Sequence, residues 1–195
     1  MMENSSRIVR LIIFLLVCIG LIWLIVLLFS RVFSSGNQTT PVATTQMSSY
    51  GRIGTSAQLF IDGPVVVNQE HRALRITVEA TQSKIELLTG YDGQVIRQEV
   101  FPGTLEGYKT FLSSLETLGF NKGNKTTQKD ERGQCPLQNR FVYTLTDAGS
   151  DVFRYWSTPC GTGNFGGRQS SVRVLFQRQI PLKIYNEFSR GLQAS

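Results

Sequence analysis

The run LIIFLLVCIGLIWLIVLLFS, Leu11 to Ser30, constrains this chain more than any other stretch, because it carries no charged residue. As a helix of about 20 residues it would extend about 30 Å, the thickness of a bilayer's hydrocarbon core. Such a run predicts a transmembrane helix over 11–30, with residues 1–10 on one side of the membrane and the rest of the chain on the other. Cleavable signal peptides have shorter apolar regions of about 7–15 residues, so a retained signal anchor is the expected form. Cys18 does not have the setting of a lipoprotein cysteine: Val17 precedes it and the apolar run continues past it. Arg7 and Arg10 before the run, against Arg31 after it, place the short N-terminus in the cytoplasm. Cys135 and Cys160 then form an even pair outside the membrane segment, as suits an oxidising compartment. The expected localisation is the cell membrane, single-pass, with the C-terminal domain extracytoplasmic.

Residues 31–50 read as a flexible linker, since SSGNQTTPVATTQMSS, Ser34 to Ser49, has neither charge nor apolar periodicity. The remaining stretch, 51–195, is a normal length for one domain. In RALRITVEA the residues Leu74, Ile76, Val78 and Ala80 alternate with Arg75, Thr77 and Glu79, the pattern of a half-solvated antiparallel strand. KIELLTG and QVIRQEVF follow as a hairpin turned at Asp92-Gly93, and a weaker strand, AQLFID, comes earlier. The period then changes. Leu105, Tyr108, Phe111, Leu112, Leu115 and Leu118 recur every three or four residues between Thr104, a good N-cap, and Gly119, a good C-cap. NRFVYTLT and DVFRYWST read as a second hairpin, turned at 147–150. Two short helices close the chain, SVRVLFQRQI capped by Ser170 or Ser171, and a segment from Pro181 with Leu182, Ile184, Tyr185, Phe188 and Leu192 on its apolar side. The fold class expected is α+β: an antiparallel sheet packed by a central helix and short C-terminal helices.

If Thr146 pairs with Asp151, the same register brings Cys135 and Cys160 within one step of facing each other, which predicts a disulfide at the hairpin's open mouth. Closely downstream, Gly161, Gly163 and Gly166 have the G-x-G-x-x-G spacing of a dinucleotide loop, and Glu187 lies near the position of the acidic residue that would follow. Pro181 and the helical spacing around Glu187 break the required βαβ unit, so the glycines are expected to serve a sharp chain exit and no cofactor is implied. His71 is the single histidine, which excludes a multi-histidine metal site, and no metal is expected.

Ser157-Thr158-Pro159-Cys160, with His71 upstream and Arg173 thirteen positions later, partly resembles the active-site order of sortase transpeptidases. That resemblance implies a cysteine nucleophile at Cys160 assisted by His71 and Arg173. It lacks the motif's leucine, and a disulfide to Cys135 would occupy the sulfur. The segments CPLQNRF, YWSTPCGTGNFGG and LFQRQIP, together with the general layout, are similar to an uncharacterised family of single-pass bacterial surface proteins, a resemblance that implies no activity. Charge supplies the last clue: beyond residue 150 stand six cations, Arg154, Arg168, Arg173, Arg178, Lys183 and Arg190, against Asp151 and Glu187, while 34–150 is balanced. Arg154, Arg168, Arg173 and Arg178, with amides of the glycine loop, are the candidate anion-binding residues. The expected function is a membrane-anchored extracytoplasmic binding or scaffold module, not an enzyme. Its expected partner is an anionic envelope polymer or an envelope protein, and not nucleic acid.

Overall fold

The computed structural model describes Leu16, residues 46–128 and residues 130–193. Apart from Leu16, the expected transmembrane helix lies outside the described residues, as does the linker up to 45; no helix among the described residues is long and apolar enough to cross a membrane. Thr44–Ser195 forms one compact unit.

Six strands make one antiparallel sheet: β1 Thr55–Asp62, β2 Arg72–Glu79, β3 Gln82–Thr89, β4 Gln94–Pro102, β5 Arg140–Asp147 and β6 Ser150–Ser157. Their spatial order is β4-β3-β2-β1-β5-β6. The strand with the weakest alternation signal is thus central: β1 pairs with β2 on one side and with β5 on the other. Three helices complete the unit, α1 Leu105–Thr117, α2 Gln169–Gln177 and α3 Leu182–Gln193. This is the α+β class that the change of period predicts.

Side-chain alternation divides the sheet into two unlike faces. Ala57, Leu59, Ile61, Leu74, Ile76, Val78, Ile85, Leu87, Tyr143 and Leu145 belong to the core. They meet Tyr108, Phe111, Leu112 and Leu115 of α1, Val172 and Phe176 of α2, and Phe188 and Leu192 of α3. Phe120 ties these layers together, with ring contacts to Tyr143, Phe153, Phe165 and Phe176 at 5.4–6.5 Å between centroids. The opposite face carries Gln58, Phe60, Arg75, Lys84, Glu86 and Arg154, and its polar groups bond one another. Glu86 accepts from Arg75 Nε at 2.7 Å and lies 3.2 Å from Lys84 Nζ.

Helix boundaries follow local chemistry. Thr104 Oγ1 accepts from the Gly107 N–H at 3.1 Å, the expected N-cap of α1. At the other end Gly119 adopts φ +80°, and Gly119 and Phe120 donate to Glu116 O and Leu115 O, a Schellman closure. Two expectations are corrected. Neither Ser170 nor Ser171 caps α2: the helix begins at Gln169 after Arg168, whose N–H is already held by Leu118 O, so docking of the preceding loop sets its start. The folded unit also takes in a 3-10 turn at Met47–Tyr50, assigned to the linker by composition, because Met47 is fully buried in the core.

Candidate functional site

Cys135 and Cys160 are joined in a disulfide with a Cα–Cα distance of 5.9 Å. The pairing agrees with expectation, but the route to it differs. A bulge between Leu145 and Thr146 shifts the β5–β6 register, and the ladder ends at Phe141 opposite Ser157. The cysteines meet instead through two proline turns beyond the ladder. In one, Gln138 N–H donates to Cys135 O; in the other, Gly161 N–H donates to Thr158 O. Pro136 and Pro159 preset the dihedrals of these turns.

The glycine loop does not have the geometry of a phosphate cradle. Gly161 and Gly166 donate their N–H groups to Thr158 O and Lys122 O, so these amides are consumed within the protein. Gly163 adopts φ +140°, and a Cβ there would stand 2.4 Å from Trp156 O. The loop folds back against the end of β6, and 122–124 packs against 164–166 through Asn124 N–H to Asn164 O at 2.6 Å. Close backbone approach, not ligand approach, is what the small residues serve.

The three residues of the sortase-like order each have another partner. Cys160 is in the disulfide. His71 is buried, with Nε2 2.9 Å from Asp62 Oδ1, Nδ1 3.2 Å from Pro64 O, and its ring stacked on Tyr91 at 4.1 Å. Arg173 lies over the Phe141 ring at 4.2 Å. Asp62 also accepts from Arg140 Nε at 2.8 Å, and Arg140 Nη2 donates to Gly63 O at 2.7 Å. This buried Arg140–Asp62–His71 chain pins the 63–71 loop against the start of β5. Val65 N–H reinforces it by donating to Pro136 O beside the disulfide.

Nor are the four candidate arginines gathered into one patch. Arg154 projects from the face opposite Phe153 and Tyr155 and pairs with Glu131 at 2.6 Å. Arg168 Nη2 donates to Thr117 O at 3.0 Å. Arg173 is on the core side of the sheet, over Phe141. Successive steps of five residues along α2 turn Arg168, Arg173 and Arg178 to different sides of the helix axis. Among the described residues neither Arg173 nor Arg178 has an ion pair or a side-chain hydrogen bond, but Arg173 is half-buried against Phe141 whereas Arg178 is exposed at the end of α2.

Three depressions meet at Arg178. One, of about 540 Å³, is lined by Val174, Gln177, Arg178, Ile180, Pro181 and Leu182. A second, of about 340 Å³, runs between α1 and α2 past Leu118, Ser170, Ser171 and Leu175. The third, of about 290 Å³, reaches Thr104, Gly107 and Tyr108 at the start of α1. Val174 and Leu182 are exposed beside the guanidinium, Leu182 to 73 %. Leu182 was expected on the apolar side of α3; it precedes the first buried turn and faces outward instead. The arrangement sets one unpaired cation among apolar and hydroxyl groups, with the Glu79 carboxyl in the wall of the third depression, and on the side of Val174 and Leu182 it can accept an anionic group attached to an apolar body.

No family model, curated protein or solved structure matches this chain. Two features escaped the sequence reading. The Arg140–Asp62–His71 chain joins residues 78 apart through β1–β5 pairing, which no local pattern announces. The apolar rim of Arg178 had a signal: Val174 lies off the stripe of Val172, Leu175 and Phe176, and an off-stripe valine on a short helix faces solvent.

Proposed function

We propose that this chain is a membrane-anchored extracytoplasmic binding module that holds an anionic envelope polymer, with Arg178 as its principal charged contact. The tether rests on the uncharged run 11–30, and the binding site on one observation: Arg178 is free of internal partners at the junction of three depressions rimmed by Val174 and Leu182. Lys183, on the next helix, adds positive charge nearby in sequence. Arg154, Arg168 and Arg173 act within the fold. Electrostatic capture of a polyanion releases counterions, so affinity falls as salt rises.

The test is retention of the Thr44–Ser195 unit on immobilised polyphosphate and on phosphatidylglycerol liposomes, at low and then rising salt. Retention at low salt, loss with salt, and weakening by Arg178→Gln but not by Arg75→Gln support the reading. Binding indifferent to salt, or unchanged in Arg178→Gln, overturns it.

A further inference from the structure

The two edges of the sheet are treated differently. On the β6 side, Glu131 bonds Arg154 and the 122–124 segment lies against the chain that leaves β6, so loops wrap that flank. On the β4 side, among the described residues, no main-chain bond reaches the strand from outside the β3–β4 hairpin. Seven of its nine residues are exposed, including Val95, Ile96 and Val100. A long bare edge with apolar residues is a template for another strand.

Which main-chain groups point outward follows from the ladder. Gly103 N–H donates to Thr81 O at 2.8 Å, so Phe101, Glu99 and Arg97 direct their peptide groups toward β3. Pro102, Val100 and Gln98 therefore direct theirs away, and Pro102, which has no N–H to offer, occupies an outward position. Ile96 is skipped by the β3 ladder at the bulge and is likewise exposed.

We propose that β4 pairs antiparallel with β4 of a second copy, about a twofold axis through Gln98, joining two sheets into one. The strand is self-complementary about that residue. Gln98 faces Gln98 of the other copy, Arg97 faces Glu99, and Ile96 comes beside Val100. Opposite charges directly across an antiparallel pair stabilise it, and like charges oppose it. A twofold moved one residue on, to Glu99, would set two glutamates face to face, which selects Gln98. Within one copy Arg97 is paired with Glu99 at 2.7 Å and with Glu187 at 3.0 Å and lies over the Phe188 ring at 4.4 Å, so the pair across the axis exchanges the own-chain contact with Glu99 for the same contact with the other copy. The inference is independent of Arg178 and its ligand.

The axis makes a residue-specific test. At a twofold hydrogen-bonded pair the two residue-98 Cα atoms lie about 5.5 Å apart, within the span of about 4.4–6.8 Å that a disulfide bridges. The two residue-100 positions would be about 14 Å apart, four residues along a strand. The full chain, as Cys18→Ser, is expressed in membranes with Gln98→Cys or Val100→Cys and exposed to a mild oxidant, and products are resolved without reductant. Gln98→Cys is expected to give covalent dimer at least tenfold in excess of Val100→Cys, and adding Val100→Lys to Gln98→Cys is expected to abolish it. An intact Cys135–Cys160 peptide pair confirms folding of each variant. Equal cross-linking at 98, at 100 and at a distant exposed site such as Ile53→Cys overturns the proposal. So does a folded Gln98→Cys chain that stays monomeric, including the case in which the edge holds some other strand.

Discussion

Removing the Cys135–Cys160 cross-link is the perturbation with the best-defined expected cost. The two cysteines are separated by 25 positions, and opening a loop of that size returns chain entropy to the unfolded state worth roughly 3.5 kcal/mol at 25 °C. In the native state each of the two proline turns is closed by its own main-chain bond, Cys135–Gln138 and Thr158–Gly161, so the conformation within each turn does not depend on the sulfurs. Little folded-state distortion should follow, and the loss should act mainly through the unfolded chain. Cys135→Ser, Cys160→Ser and the double substitution in the Thr44–Ser195 unit should therefore each lose about 3 kcal/mol in urea titrations, with nearly equal midpoints and a steeper dependence on denaturant as the unfolded state expands. Reducing the unsubstituted unit should reproduce the loss. The decisive comparison is between the single variants. A Cys135→Ser protein as stable as the parent, beside a Cys160→Ser protein that is folded but has lost its biological activity, would refute the structural reading and favour the transpeptidase-like one.

Asp62→Ala should cost about 3–5 kcal/mol, because it strands the buried Arg140 guanidinium and the His71 ring together. Thermal melts check this, and Asp62→Asn should recover part of the loss. Glu86 supplies a pH dependence: burial alone would raise its carboxyl pKa, but hydrogen bonds from Arg75 and Lys84 with their charges outweigh burial and hold it below 4.5. Its folded pKa is thus below the unfolded one, so its stabilisation is present above about 4.5 and is lost as pH falls through the folded value. Denaturant titrations between pH 7 and pH 2 should show a shallower acid decline in Glu86→Gln, and an unchanged decline would refute the assignment.

Most strands and the long helix were legible because their signals are local. The two-residue alternation of β2, the Asp-Gly turn into β4, and the Thr104 and Gly119 caps of α1 each sit within a few residues of what they determine. The disulfide was legible for a partly wrong reason, since a bulge invisible to pattern reading shifts the β5–β6 ladder and proline turns make up the difference. The glycine spacing invited a nucleotide loop, while Pro181 and the helical spacing around Glu187 argued for a helix where that motif needs a strand, and Glu187 does lie on α3. The arginine cluster shows where counting charge fails. Proximity in sequence says nothing of which side of a sheet or helix a charge leaves by, and Arg154 and Arg173 leave by opposite faces. Whether a charge is free or already paired depends on partners such as Glu131, which comes from a loop with no pattern of its own.

The central place of β1 also governs the order in which the sheet can assemble. β1, β2, β3 and β4 form a meander in which each strand pairs with its sequence neighbour, and short loops close such pairings quickly. The β5–β6 hairpin is equally local. Joining the two halves requires Asp62 to find Arg140 and Thr55 to find Asp147, so the β1–β5 ladder is the late, slow event. A chain emerging in order therefore presents a finished four-stranded half whose exposed border is β1, which carries Leu59 and Ile61, until the residues from Gly103 through β5, ending at Asp147, have been made. During that interval β1 is the segment at risk of pairing with the wrong strand.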